Sequence, residues 1–127
     1  MSPRSAEFFD AAERRLAAAR RVIGHDAATA ISLAYYAMFY AARAALSERD
    51  MYARTHAGTW DEFQRVFVAP GLFDGDLLAD ARRVQRERED ADYEAWVADE
   101  SEARRVIDLA TRFLDAVRTL IDTLPPR

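Results

Sequence analysis

The chain has 127 residues, with 22 acidic side chains against 18 basic ones, a net charge of -4 and no cysteine. This length suits one domain, residues 1–127, that buries its own core, and the lack of cysteine excludes a disulfide framework and a thiolate zinc site. The net charge argues against a protein covered by nucleic acid on all sides, although it leaves room for one local basic patch.

Targeting and membrane signals are missing from the sequence. The N-terminus has no apolar segment followed by a small-residue cleavage site, and no charge-free apolar run reaches membrane-spanning length. We therefore expect a cytoplasmic protein with no membrane association. All 18 basic residues are arginine, which we attribute to genomic base composition rather than to selection for guanidinium chemistry.

Helical periodicity begins close to the N-terminus. Residues Ser5 to Ile23 predict a first helix, with Ser5 as its N-cap and Gly24 as its stop. A short connection then leads into Asp26 to Ser47, a stretch that is apolar or small on nearly every side. Because a surface helix needs only one apolar stripe, this second helix is predicted to be the buried centre of a bundle. The short link indicates an antiparallel pair.

Three further helices follow at the spacing expected for a bundle. A capping-box pattern predicts a short helix over Thr59–Val68, and a fourth helix begins at about Asp74 or Asp76. A second helix-start signal at Asp99 opens an amphipathic stretch that continues to Leu124. No segment alternates as a half-buried strand would. The sequence therefore predicts an all-α fold, an up-and-down bundle of four long helices plus one short helix.

The fourth helix carries the most unusual local composition. Arg82, Arg83 and Arg86 fall within one helical turn of each other, so they can present a basic stripe to RNA or nucleotide phosphates. The alternative is a solvated face on which these arginines pair with neighbouring carboxylates. The residue types alone leave both interpretations open.

Three segments in order resemble one known family: AYYAMFYAARAAL (34–46), RTHAGTWDEFQRVFV (54–68) and REREDADY (86–93), followed by a helix patterned like EARRVIDLATRFLDAV. They resemble the small stand-alone HEPN proteins of bacteria and archaea, a superfamily named for nucleotide binding in higher eukaryotes and prokaryotes. The resemblance implies a helical bundle that is commonly dimeric. Many members are metal-independent ribonucleases, and several are toxins paired with a small nucleotidyltransferase antitoxin.

The ribonuclease members carry an arginine followed, after four to six residues, by a histidine. At the matching place this chain has Arg88, then Asp92 at the polar position inside the motif, and Tyr93 where the histidine stands. An unperturbed phenol, with a pKa of about 10, is a poor base near neutral pH. The resemblance thus implies that Arg88 can clamp a phosphate, whereas the group that removes a proton is in question.

His56 is the other candidate catalytic residue, because RTHAG belongs to the resemblance. Its alternative role is a structural hydrogen bond, as expected for a histidine in a loop before a helix N-terminus. Neither histidine has a glutamate at the Glu-x-x-His offset of di-iron bundles, so we expect no metal site and no cofactor.

Two functional hypotheses follow. The first is a HEPN-like RNA- or nucleotide-binding protein, with metal-independent ribonuclease activity as the toxin half of a toxin–antitoxin pair. The second is a non-catalytic dimerisation or interaction module that binds a nucleotidyltransferase partner. Either form is expected to be a homodimer, both from the resemblance and because four aromatic side chains fall outside the clearest core stripes: Trp60, Phe67, Phe73 and Trp96.

Overall fold

A computed structural model describes residues 1–91 and 97–125 of the chain. These residues form five α-helices, with no strand among them, and one turn of π-helix. The α-helices are α1 (Pro3–Val22), α2 (Ala27–Ser47), α3 (His56–Phe63), α4 (Gly75–Ala91) and α5 (Glu100–Thr123), and the π-helical turn Gln64–Val68 extends α3. The predicted all-α fold of four long helices and one short helix is confirmed.

Helix α1 begins earlier than the sequence predicts. Ser2 is its N-cap, since the Ser2 hydroxyl accepts a hydrogen bond from the Ser5 amide, and Pro3 follows in the first turn, where its missing N–H is harmless. The prediction that Ser5 caps the helix is therefore wrong. Ser5 is buried, and its hydroxyl donates to the carbonyl oxygen of Ala44 at 2.8 Å, which ties α1 to α2.

Helix α2 is the central helix, as predicted. Asp26 caps its N-terminus by accepting a hydrogen bond from the Thr29 amide, and thirteen of its 21 residues are buried. The helix packs against both α1 and α5. Small alanines at these contacts let the backbones approach closely. On one face of the helix three side chains are only partly buried: Tyr36, Tyr40 and Arg43. This less covered face carries the candidate site.

Helix α3 also begins earlier than predicted. Thr55, rather than Thr59, is the N-cap, and its hydroxyl accepts a hydrogen bond from the Gly58 amide. Thr59 lies inside the helix, where its hydroxyl donates to the Thr55 carbonyl oxygen. The capping-box pattern favours Thr59, which has Glu62 three residues on, whereas Thr55 has Gly58 there, yet Thr55 is the residue that caps the helix. As a result His56 opens the helix instead of lying in a loop.

The large aromatic residues of α3 and of the segment that follows it are part of the core. Trp60 and Phe67 are fully buried and Phe73 is 7% exposed. The argument that they leave an apolar surface in need of a partner is therefore wrong for these three. Trp96 lies outside the described residues.

Helices α4 and α5 complete the bundle close to their predicted bounds. The Asp74 carboxylate accepts a hydrogen bond from the Asp76 amide where α4 starts, and Asp99 caps α5 by accepting one from the Glu102 amide. The predicted apolar stripe of α5, from Ala103 to Ile121, is buried against α2. Of the helices in residues 1–91 and 97–125, none has the length and hydropathy needed to cross a membrane.

Candidate functional site

The partly covered face of α2 meets the start of α3 and the end of α4 in a cluster of aromatic and basic side chains. We call these seven residues the central cluster: Tyr35, Tyr36, Phe39, Arg43, His56, Trp60 and Arg88. Helix α2 supplies four of them from successive turns. Thr55, the N-cap, fixes where α3 starts and thereby where His56 lies.

His56 is bound to the buried tyrosine of α2. The hydroxyl oxygen of Tyr35 lies 2.9 Å from Nδ1 of His56 and accepts a hydrogen bond from Nε1 of Trp60 at 3.2 Å. The imidazole ring stacks on Phe39 with 4.1 Å between ring centroids. These contacts fix the orientation of the imidazole. The phenol proton can lie towards Nδ1, or Nδ1–H can donate to the phenol oxygen.

The protonation states of these two groups follow from their surroundings. Burial lowers the pKa of His56, and the positive charges of Arg43 and Arg88 lower it further, whereas Glu89 acts in the opposite direction. His56 is consequently neutral at physiological pH. Burial raises the pKa of Tyr35 to about 12, so its phenol stays protonated.

Arg88, on α4, contacts both Tyr35 and Tyr36 of α2. Its Nη2 donates to the hydroxyl oxygen of Tyr36 at 3.2 Å, and its Cζ lies 5.0 Å from the ring centroid of Tyr36 and 5.4 Å from that of Tyr35. The His56 ring lies 5.8 Å from both tyrosine rings. The fold therefore brings Arg88 and His56, which are 32 positions apart in sequence, onto one pair of aromatic side chains.

Arg43 is the second arginine of the cluster. Its Cζ lies 4.6 Å from the centroid of Phe39, and its Nη2 donates to the carbonyl oxygen of Ala53. Within the described residues, the buried Nε atoms of Arg43 and Arg88 have no hydrogen-bond partner. Orphaned buried donors are uncommon in folded proteins, and one recognised reason for them is a catalytic or ion-binding role.

The other predicted site residues lie elsewhere or are not described. Arg82 forms an ion pair with Asp61 at 2.9 Å, and Arg83 pairs with Asp80 at the same distance. Arg86 is exposed on α4. A role for these three arginines in phosphate binding stays a prediction. Asp92 and Tyr93 lie outside the described residues, so their predicted place beside Arg88 also stays a prediction.

A groove between α4 and α5 is less suited to phosphates than the central cluster. It has a volume of about 380 Å³, and its wall carries four carboxylates as well as four guanidinium groups. Arg88 lines this groove and also belongs to the central cluster. Among the described side chains, no group of three or more metal-binding residues lies close enough together to hold a metal ion.

Sequence reasoning missed Arg43 and the partners of His56. A signal for Arg43 existed, because it is the only charged residue between Ala27 and Ser47. A single charge in an otherwise apolar helix marks a place where burial is incomplete. Tyr35 and Trp60 gave a weaker signal, namely that buried phenol and indole groups need hydrogen-bond partners.

Comparison with known proteins adds to this geometry. A family model described as HEPN domain matches residues 5–120. Over 90 residues the chain is 34% identical to a UPF0332 protein of Gloeobacter violaceus, covering 67% of this chain and 71% of that protein. Over 97 residues it is 33% identical to a UPF0332 protein of Thermotoga maritima, covering 76% of this chain and 74% of that protein. The chain therefore belongs to the HEPN-domain family.

Proposed function

We propose that this protein binds RNA at the central cluster and cleaves it without a metal ion, through attack by the ribose 2′-hydroxyl. The family makes nucleotide or RNA binding the expected activity. One observation carries the proposal further, the neutral imidazole of His56 placed with the guanidinium group of Arg88 on the same pair of tyrosines. A neutral base beside a fixed positive charge is the combination that phosphodiester cleavage by an internal hydroxyl needs.

The reaction requires one proton acceptor and compensation of negative charge. Nε2 of His56 accepts the proton of the 2′-hydroxyl, whose oxygen attacks phosphorus and forms a 2′,3′-cyclic phosphate. The bond from phosphorus to the 5′-oxygen breaks, and that oxygen takes the proton back from the imidazolium. Arg88 and Arg43 stabilise the negative charge that develops on the phosphoryl oxygens.

Tyr35 holds His56 in the tautomer that can act as a base. Nε2 is a base only when Nδ1 carries the hydrogen, and that hydrogen then donates to the phenol oxygen of Tyr35 2.9 Å away. Since the pKa of Tyr35 is about 12, the phenol stays protonated and no phenolate forms that could accept the proton. Tyr35 is therefore a positioning residue rather than a catalytic one. The catalytic roles of Asp92 and Tyr93 remain part of the proposal.

An RNA-cleavage assay in EDTA tests this function. A single-stranded RNA should be cut to products that end in a cyclic phosphate, and His56→Ala should lower the rate by about 10²-fold or more. His25→Ala is the matched control, since His25 lies exposed in the turn after α1, and it should leave the rate unchanged. Equal rates for His56→Ala and the parent protein would remove His56 from the mechanism.

The toxin role, the homodimer and a nucleotidyltransferase antitoxin rest on the family resemblance alone. The surface argument for a dimer fails for Trp60, Phe67 and Phe73, which are buried within one chain. Sedimentation at micromolar concentration should nevertheless give twice the chain mass of 14.4 kDa. A monomer under those conditions would contradict the dimer. Under the rival hypothesis of a non-catalytic interaction module, the protein would bind a nucleotidyltransferase and cut no RNA.

A further inference from the structure

A second set of aromatic and basic side chains continues from the central cluster across α1 and the segment after α2. We call these five residues the arginine–aromatic strip: Arg4, Phe8, Arg15, Tyr40 and Tyr52. All five are exposed or partly exposed. Neither the family match nor the similar proteins assign them a role.

The strip joins the central cluster at two points. Tyr40 lies one helical turn after Tyr36 on α2, with 6.4 Å between their ring centroids. Tyr52 lies beside Arg43, whose Cζ is 5.0 Å from the tyrosine ring centroid. Arg4 connects the two points, because its guanidinium group lies near Tyr52 and near Phe8, which stacks on Tyr40. The cluster and the strip therefore form one connected surface rather than two separate patches.

Each arginine of the strip lies over an aromatic ring. The Cζ atom of Arg15 is 4.5 Å from the centroid of Tyr40. That of Arg4 is 5.9 Å from the centroid of Phe8 and 5.5 Å from that of Tyr52. A guanidinium group placed over a ring keeps its charge and its N–H donors for a phosphate, and its own plane is a surface on which a base can stack.

The groove along the strip also has the charge that a phosphate backbone requires. It has a volume of about 690 Å³ and is lined by Arg4, Arg14, Arg15 and Glu7. Arg14 forms an ion pair with Asp10, which leaves Arg4 and Arg15 against the one carboxylate of Glu7. Asp50 lies near the far end, in a smaller neighbouring groove beside Arg4 and Tyr52. The α4–α5 groove, with equal numbers of both charges, lacks this positive excess. Charge complementarity therefore selects a polyanion as the occupant.

The ring faces select the form of that polyanion. Tyr52 is 58% exposed and offers ring surface to solvent. Phe8 and Tyr40 stack on each other with 6.1 Å between centroids, so beside them the plane of the Arg15 guanidinium group is the surface left for a base. Exposed aromatic faces bind bases only when the bases are unpaired and free of their neighbours in a helix. A duplex would offer its phosphates but no base face.

We propose that the arginine–aromatic strip is a second binding subsite, which holds unpaired nucleotides flanking the phosphate bound at the central cluster. This inference rests on the proposed function, because it extends the RNA from Arg88 and His56 over α2 to the start of α1. Alternation of arginine and aromatic side chains lets phosphates and bases be bound in turn. The strip thus adds affinity and strand preference without reading sequence.

Binding of 2′-O-methylated oligouridines tests the subsite, because they cannot be cleaved. We would compare fluorescence anisotropy for oligomers of about four and about twelve nucleotides, lengths that bracket one short binding site and an extended one. The double variant Arg4→Ala with Arg15→Ala should bind the longer oligomer about tenfold more weakly and the shorter one as the parent does. Arg21→Ala with Arg104→Ala is the matched control, because it changes the net charge equally at exposed positions off the strip.

A stacking variant gives an independent measurement. Tyr52→Leu keeps an apolar side chain but loses the ring face, so it should weaken binding of the longer oligomer about fivefold, whereas Tyr52→Phe should not. Unchanged binding in the strip variants, together with weaker binding in Arg88→Ala, would overturn the subsite and leave the proposed function standing. If the parent protein bound neither oligomer, the proposed function would fail, and the subsite would fail with it.

Discussion

His56 shows how a fold changes the chemistry of one side chain. Its sequence position, before a short helix, suggested either a base or a structural hydrogen bond; the structure shows the hydrogen-bond contact, and the role as a base stays a proposal. Nδ1 is bound to Tyr35, and burial with two nearby arginines lowers the pKa of the imidazole. The hydrogen bond orients the ring, and the lowered pKa keeps it neutral and able to accept a proton.

The pKa of His56 predicts how stability depends on pH. In the folded protein burial, and then the charges of Arg43 and Arg88, lower the pKa of His56, while Glu89 acts in the opposite direction. The unfolded chain protonates near the ordinary pKa of 6.5. The unfolded state therefore binds more protons as the pH falls below about 6.5, so stability is lost, and the loss ends below the folded-state pKa. Urea unfolding at about pH 7.5 and about pH 5.5 should show this loss in the parent protein.

His56→Gln should reduce that loss, because the titrating group is removed. His25→Gln is the control, since His25 is exposed in the turn between α1 and α2, and it should keep the parental pH dependence. If His56→Gln lost as much stability between the two pH values as the parent protein, the imidazole would not be the group responsible.

Tyr35 and Tyr36 provide a matched pair for testing the hydrogen bonds of the cluster. Tyr35 is fully buried and its hydroxyl serves both Trp60 and His56, whereas Tyr36 is partly exposed and accepts one bond from Arg88. Tyr35→Phe leaves a buried indole N–H without its partner, so it should lower the free energy of unfolding by about 1–3 kcal/mol. Tyr36→Phe should cost less. Urea denaturation measures both, and the reverse order would contradict the assigned network.

The individual site residues were predictable to different degrees. Arg88 and His56 could be found from sequence because both belong to segments with a recognisable pattern. Their meeting could not be predicted, because it depends on how the α3 start and the α4 end approach α2. Arg43 was hidden by its apolar neighbours, although its isolation as the only charge in α2 was a readable signal.

The periodicity of apolar residues predicted well which helices exist, but it predicted less well the residues at which they begin. The long helices α2 and α5 follow their apolar patterns closely, and Asp99, the predicted start signal, caps α5. The starts of α1 and α3 were misplaced because an alternative Ser or Thr lay three or four residues away. The π-helical turn Gln64–Val68 has no pattern of its own. Phe67 nevertheless lies in the core beside Trp60 and Phe63, all three fully buried, and their i, i+3, i+7 spacing is that of one helical face.

Ala37 tests the central position of α2. Its side chain is fully buried in a helix that packs against both α1 and α5. Ala37→Leu adds methylene groups where no space exists, so it should lower the free energy of unfolding by about 1–3 kcal/mol. Ala79→Leu, on the exposed side of α4, is the control and should change it by less than about 0.5 kcal/mol. Chemical denaturation distinguishes these outcomes, and equal stabilities would mean that the centre of α2 is loosely packed.

The distribution of charge over the bundle reconciles an acidic protein with an anionic ligand. The net charge is -4. On the outer faces of several helices arginines are paired with carboxylates, as in Arg65 with Glu62 and Arg104 with Glu100. The arginines of the central cluster and of the strip lie over rings instead. Positive charge without a carboxylate partner is thereby concentrated on one face, and under the proposed function it would direct an RNA strand to that face.

This charge distribution predicts a measurable dependence on salt. On single-stranded nucleic acid each phosphate contact contributes about -0.7 to the slope of log affinity against log salt concentration. With Arg4, Arg15, Arg43 and Arg88 all in contact with phosphates, the slope for a long oligonucleotide should lie between about -2 and -3. Anisotropy titrations over a range of sodium chloride concentrations measure it.

Substituting Arg88 distinguishes a phosphate contact from a purely structural role. Arg88→Ala should weaken binding and make the slope shallower by about 0.7, because one phosphate contact is lost. Arg104→Ala should leave the slope unchanged, since Arg104 is exposed and paired with Glu100 on α5. If Arg88→Ala lowered only the stability and kept the slope, the guanidinium group would serve to join α4 to Tyr36, and RNA would make its contacts with the remaining arginines.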